Sequence, residues 1–179
     1  MVMMSGAFQG IERMGRSRVG TSDLIDKVKG IFPGSIREVK TFRDEITLVI
    51  EKEKMAEVFE FLRKDPDLSF DYLTDLCGVD YGPRRPRFEV VYHLCSTKYD
   101  RRLRVKVPLE EGESLASVES IWKAANWYER EAYDMLGISF ENHPDLRRIL
   151  TSDGFEGHPL RKDFPVRGKD FDKPFVPEL

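Results

Sequence analysis

Cysteine is scarce: Cys77 and Cys95 are the only two in 179 residues, and no CxxC spacing occurs. Iron–sulfur clusters are held by several cysteine thiolates, so this chain alone is not expected to hold one. Both thiols read as reduced core side chains of a cytosolic protein. Long apolar runs are lacking too. The longest aliphatic run is Leu48-Val49-Ile50, against the roughly 20 residues a membrane-spanning helix needs. Residues 1–20 carry Arg13, Arg16 and Arg18 without a continuous apolar stretch. They read as a flexible N-terminus and not as a secretory signal, so membrane association must come through a partner. No glycine-rich phosphate loop follows a strand, and no nucleophile–base pair stands out. The net charge of −3 argues against nucleic acid as the general partner.

What is present suits one domain with an appendage. Apolar residues make up 40% of the chain, enough for a packed core. Ser22 can cap a first helix whose Leu24, Ile25, Val28 and Ile31 share a face, ended by Pro33-Gly34. A hairpin follows, Ile36 to Lys40 and then Ile46 to Ile50 about an Arg43-Asp44 turn. Lys54 to Lys64 forms an amphipathic helix with Met55, Val58, Phe59 and Leu62 on one stripe. Three more strands are expected: Tyr72 to Asp80, buried on both faces, then Phe88 to Leu94, then Leu103 to Val107. A further helical region should begin near Leu115, and Asn126 with Glu129 reads as a capping-box start for a helix running to Leu136. Gly137 would supply the left-handed residue after it. The fold expected is α+β, a mixed five-stranded sheet packed with helices over residues 21–137, followed by a long extended C-terminal tail at 138–179.

Segment 84–106 holds eight basic residues against Glu89 and Asp100, a net +6. Arg102, Arg104 and Lys106 fall on the outward positions of one strand. A solvated, edge-protecting face explains that pattern; an acidic partner or, third, RNA are the functional alternatives.

The tail is the informative part. Its 42 residues show neither helical nor strand period and include five of the ten prolines. It still carries Phe140, Phe155, Phe164 and other apolar residues at intervals, unlike disordered chain. An arm lying across another protein fits that composition. Within it Phe140-Glu141-Asn142-His143-Pro144 recurs as Phe155-Glu156-Gly157-His158-Pro159. Each copy is followed by a leucine and two basic residues, Arg147-Arg148 and Arg161-Lys162. Proline restricts the preceding histidine to extended backbone. Two bends whose imidazoles hydrogen-bond neighbouring backbone are expected; a metal held by His143 and His158, as in a free-standing metallohydrolase, is the alternative. Glu129, Glu131 and Asp134 on one helix should pair with Arg130 and tail arginines.

Residues 126–138 (Asn-Trp-Tyr-Glu-Arg-Glu-Ala-Tyr-Asp-Met-Leu-Gly-Ile), with His143-Pro144-Asp145-Leu146-Arg147-Arg148 and Gly157-His158-Pro159-Leu160-Arg161-Lys162-Asp163-Phe164-Pro165, closely resemble the 30 kDa subunit family of respiratory NADH:quinone oxidoreductase, complex I. Tyr72-Leu73-Thr74-Asp75 and Val79-Asp80-Tyr81 also look like that family, and the likeness covers about residues 22 to 168. Asn142 stands where the family commonly has glycine; asparagine also tolerates positive φ. The resemblance implies a non-redox peripheral-arm subunit with no catalytic residue, cofactor or metal of its own. Electrons would pass from NADH through FMN and iron–sulfur clusters in other subunits to quinone. The implied partners are the quinone-pocket (D-type) subunit and neighbouring iron–sulfur subunits, on the cytoplasmic side of the inner membrane. The expected contact residues are Glu129, Arg130, Glu131, Asp134, Phe140, His143, Arg147, Arg148, Phe155, His158, Arg161 and Phe164. The equivalent subunit of a hydrogenase, ferredoxin or F420H2 oxidoreductase is the nearest alternative.

Overall fold

Met55, Val58, Phe59 and Leu62 recur at helical spacing, and all four are fully buried on one side of α2 (Met55–Lys64). A computed structural model describes residues 21–43 and 45–167 of the chain. The expected flexible N-terminus, Asp44 of the expected turn and residues 168–179 lie outside the described residues.

The remaining elements are α1 (Thr21–Ile31), β1 (Ile36–Phe42), β2 (Glu45–Ile50), β3 (Tyr72–Asp80), β4 (Phe88–Ser96), β5 (Arg101–Leu109), β6 (Ser114–Ala116), α3 (Ala125–Leu136) and β7 (Ser139–Glu141), with a single 3-10 turn at Lys52–Lys54. Five strands form a sheet in the order β1-β2-β5-β4-β3. The β2–β5 pair is parallel and the other three ladders are antiparallel, so the sheet is mixed, as expected. Alternation decides the faces. Leu103, Val105 and Val107 point inward from β5, with Arg102, Arg104 and Lys106 between them.

On the inner face Phe59 of α2 meets Tyr92 at 4.7 Å and Trp122 at 5.6 Å between ring centroids. The Trp122 indole N–H donates to Phe70 O at 3.1 Å, so this large ring is buried without stranding its polar atom. α1 joins α2 through Phe32 against Phe61, and through Lys27, whose ammonium bridges Asp65 and Asp67. α3 packs against β3, where Gly78 leaves room for Leu136; a Cβ there would sit 2.4 Å from a Leu136 methyl.

Four expectations change. β3 is an edge strand and not buried on both faces, and Cys77 on it is exposed while Cys95 is half-buried. Neither thiol is a core side chain. The region at Leu115 forms strand β6, paired in parallel with β7, and the apolar Val118, Ile121 and Trp122 follow it in a short turn. α3 begins at Ala125 after Ala124 with no side-chain cap, so Asn126 lies inside the helix. Its side chain cannot cap from there.

The fourth concerns the boundary at 137. Ile138 and Phe140 belong to the hydrophobic core, and β7 completes a two-stranded ladder. The folded unit therefore continues past Gly137 through a segment that carries little regular structure.

The α3 clasp, a candidate functional site

A helix leaves its last four carbonyls without partners. At the end of α3 all four are met. Gly137, at φ 74°, donates its N–H to Tyr133 O at 2.8 Å. The other three acceptors are reached by the second copy of the tail motif. His158 Nδ1 lies 2.9 Å from Asp134 O, Leu160 N–H donates to Met135 O at 3.0 Å, and Arg161 Nε donates to Leu136 O at 2.6 Å. A carbonyl only accepts, so Nδ1 of His158 carries the proton.

The first copy grips the other end of the helix. Asp145 N–H donates to His143 Nδ1 at 3.0 Å, which leaves Nε2 as the protonated atom, 3.2 Å from Asn126 O. Asn142 takes φ 61° at this bend, where the second copy has Gly157 at φ 94°. The repeat in the sequence is thus a bracket, holding α3 at both ends with imidazoles in opposite tautomers.

Asp134 organises the chain between the two copies. Its side chain is fully buried and paired with Arg148 at 2.8 Å. One oxygen accepts the consecutive backbone N–H groups of Ile149, Leu150 and Thr151 at 3.0, 2.8 and 2.9 Å. The other also accepts the Thr151 hydroxyl at 2.5 Å. Burial pushes this carboxyl upward, but the Thr151 hydroxyl and the three amides outweigh it and hold the group well below the usual carboxylate range. Arg148 continues to Gly157 O at 2.9 Å and lies over Phe155, which stacks on Phe164.

Glu129, one turn from the start of α3, has the opposite environment. It is fully buried and accepts from Ser117 Oγ at 2.6 Å and Val118 N at 2.7 Å, with His143 Nε2 3.9 Å away. Burial dominates these bonds, and its pKa is pushed up to about 7. Arg130 donates to Arg147 O and Arg148 O and lies 5.1 Å over the Trp127 ring.

A second junction escapes sequence reasoning. Asp80, at the end of β3, accepts two bonds from Arg87 at 3.0 Å, one from Gly82 N–H and one from Lys162 N–H at 2.8 Å. Burial pushes it up, yet the Arg87 and amide bonds bring it down to about 2. Glu111 binds both Arg87 and Arg161 at 2.9 Å, and Asp163 also reaches Arg87. Hairpin and tail are pinned together here by residues 82 positions apart. No local pattern could have announced it.

The twelve expected contact residues therefore divide. Arg130, Asp134, His143, Arg148, His158 and Arg161 direct their polar atoms into the chain's own clasp, Glu129 bonds Ser117 and Val118, Phe140 lies in the core, and Phe155 and Phe164 stack on each other. These internal contacts correct the expectation that the whole set faces a partner. Glu131 and Arg147 are exposed, the Arg147 guanidinium pairing with Asp145. Trp127, Leu150, Leu160 and Val166 are also exposed, four of the seven exposed large apolar side chains among the described residues.

Half of the basic segment, four of its eight cationic side chains, is likewise ion-paired. Arg85 meets Glu110, Arg104 meets Glu45, Lys106 meets Glu89, and Arg87 lies in the Asp80 junction. A metal between His143 and His158 finds no support in the geometry. Their acceptors, Asn126 O and Asp134 O, are eight residues apart on one helix, about 12 Å at 1.5 Å per residue. Among the described residues no helix is long and apolar enough to cross a membrane.

Comparison with known proteins agrees with the motifs. Residues 48–170 match the family described as respiratory-chain NADH dehydrogenase, 30 Kd subunit. The chain is 50% identical over 147 residues to the C-type subunit of the NADH-quinone oxidoreductase of Hyphomonas neptunium, covering 82% of this chain and 73% of that protein. It is 48% identical over 150 residues to the second C-type subunit of the NADH-quinone oxidoreductase of Rhizobium meliloti, covering 83% and 82%. A chain in the structure of the membrane-bound sulfane sulfur reductase, an archaeal respiratory membrane complex, superposes with a TM-score of 0.68. At 23% identity over 81% of this chain and 85% of that one, this likeness shows the fold.

Proposed function

The chain belongs to the respiratory-chain NADH dehydrogenase 30 Kd subunit family, and from that premise we propose that it serves as the 30 kDa subunit of a membrane-bound NADH-quinone oxidoreductase. Its role there is assembly. Of the side chains in the clasp suited to acid–base chemistry, Asp134, His143 and His158 are spent on holding the tail to α3, and Glu129 on holding the turn at Ser117 and Val118. Electrons pass from NADH through flavin and iron–sulfur clusters held by other subunits to quinone, and this chain positions those subunits. The subunit forming the quinone pocket and its iron–sulfur neighbours are the partners, and the chain sits peripherally on the cytoplasmic side of the membrane through them.

One observation carries this reading. The clasp fixes the tail by polar anchors on its inner side and leaves Leu150, Leu160 and Val166 exposed. Apolar residues held in place on a rigid backbone form the surface an assembly subunit offers a neighbour, because little ordering entropy remains to be lost on binding. Residues 138–167 then act both as the closing segment of the domain and as its partner-facing edge.

The test is affinity retrieval of the tagged chain from solubilised native membranes. The retrieved material should oxidise NADH with quinone as acceptor and contain flavin and iron, while the chain prepared alone should contain neither. A retrieved complex that oxidises hydrogen, ferredoxin or F420H2 but not NADH would overturn the assignment of donor. A chain that comes back alone would overturn the assembly role.

A further inference from the structure

All three helices of the described chain contribute to one core on the inner side of the sheet. Among the described residues no helix packs on the opposite face. The strand register places Arg102, Cys95 and Tyr72 in one row across β5, β4 and β3, and Arg104, His93 and Asp75 in the next. A groove of 410 Å³ runs between the two rows. Tyr72 is 53% exposed beside it.

Charge on this face is arranged by pairs. Lys40 meets Glu38 at 2.9 Å, Arg104 meets Glu45 at 2.8 Å and Lys106 meets Glu89 at 2.6 Å. Two charged groups are left over, exposed Arg102 and half-buried Asp75, with no ion pair or hydrogen bond among the described residues, Asp75 acting only through its field on His93 and its neighbours. They sit two strands and one row apart. At about 4.8 Å per strand and about 3.4 Å per residue the separation is about 12 Å. Between them lie Cys95 and His93, and burial together with the nearby Arg104 keeps the imidazole below its ordinary pKa.

An occupant that covered the groove would desolvate both leftover charges, and a buried charge without a partner is strongly disfavoured. The occupant must therefore bring one acid and one base. A phosphate backbone or an anionic bilayer brings charge of one sign only, which this face, with four cations and four anions, would not attract. A polypeptide segment can bring both.

We propose that this groove is a docking surface for a segment of a neighbouring subunit that presents a carboxylate to Arg102, a cationic side chain to Asp75 about 12 Å away, and an apolar side chain between them over Cys95 and His93. The inference rests on the assembly reading above and adds a second contact surface, on the far side of the sheet from the clasp.

Crosslinking in the intact membrane complex tests it. With Tyr72 replaced by photoreactive p-benzoylphenylalanine, illumination should join the chain to a different subunit, at a segment holding a carboxylate and a cation in that spacing. R102E and D75K should each lower the share of the chain retained in the complex by roughly ten-fold, with the unfolding midpoint of the purified chain unchanged. Reversing the crosslinked partner's carboxylate should restore retention of R102E, which a folding defect would not allow. Crosslinks to a second copy or to the chain's own residues, or R102E and D75K retained like the wild type, would overturn the proposal alone. A wild-type chain absent from any NADH-oxidising complex would overturn the functional reading and this inference with it.

Discussion

Replacing Asp134 by asparagine removes one oxygen acceptor and turns an amide NH2 toward groups that are themselves donors. The carboxylate accepts three backbone amides, the Thr151 hydroxyl and Arg148. Asparagine can satisfy the amides or the Arg148–Thr151 pair, but not both. Truncating one partner of a buried ion pair costs about 3–5 kcal/mol, and each stranded buried donor about 1–3 kcal/mol. Arg148 keeps some solvent contact, with 22% of its side chain exposed. The lower end, about 3 kcal/mol, is therefore expected. The loss should be local before it is global, because the sheet and α2 do not touch this carboxylate. Hydrogen exchange should show amides 149–151 losing protection first, then residues 158–161, while β4 and β5 stay protected. The pH dependence follows from the depressed pKa. A carboxyl whose folded value lies below its unfolded one contributes stability above the unfolded pKa, lost as pH falls toward the folded value. Wild type should therefore lose stability below about pH 4, and Asp134→Asn should lose less over the same range. Amides 149–151 as protected in the variant as in the wild type would refute the clasp.

Three further outcomes are expected. Gly137→Ala meets both a positive φ and a Cβ 2.6 Å from His158 Nε2, and should lower stability by about 1–3 kcal/mol, read from the denaturation midpoint. Glu129, raised to about 7, contributes stability below its unfolded pKa that is lost as pH rises toward 7. Glu129→Gln should flatten the change in urea midpoint between pH 5 and pH 8, a span worth roughly 3 kcal/mol at about 1.4 kcal/mol per pKa unit. Leu160→Ser, at a side chain 61% exposed, should leave the midpoint of the isolated chain within about 0.5 kcal/mol. It should reduce retention in the membrane complex, measured by affinity retrieval.

The elements most legible in the sequence are those whose apolar spacing is local. Met55, Val58, Phe59 and Leu62 announce α2, and alternation announces β4 and β5, because one face of each meets the core. Gly137 announces the end of α3 because a left-handed residue there is local chemistry. The start of α3 misleads for the same reason. Asn126 with Glu129 satisfies a capping pattern, yet the 129 carboxylate is drawn away to Ser117 and Val118, a tertiary contact that no spacing shows. Strand β6 has three residues and depends on β7, which lies beyond α3, so its pairing leaves no local trace. In the tail the repeated motif is plain, but the lack of a regular period suggests a freedom the backbone does not have. A backbone segment can be fixed without a ladder when side chains supply the acceptors, and Asp134 and Asp80 do so here.

That substitution of side chain for ladder bears on assembly. A regular element would fix the tail through its own backbone bonds and spend one face on packing. The clasp instead anchors residues 143–163 at discrete points: Asn126 O, the Asp134 carboxylate, the last carbonyls of α3 and Asp80. Leu150 and Leu160 are held by their own backbone N–H groups, bonded to the Asp134 carboxylate and Met135 O, while their side chains stay exposed. Because each anchor is buried or half-buried, the contour is set before any partner arrives, and binding need not supply the ordering. The two prolines that follow His143 and His158 act in the same direction, since each favours the extended backbone its imidazole needs. The repeat therefore sets a fixed outer surface through its inner contacts. Changes at those inner positions should disturb association in proportion to how far they release the tail, even though none of the altered atoms would touch the neighbouring subunit.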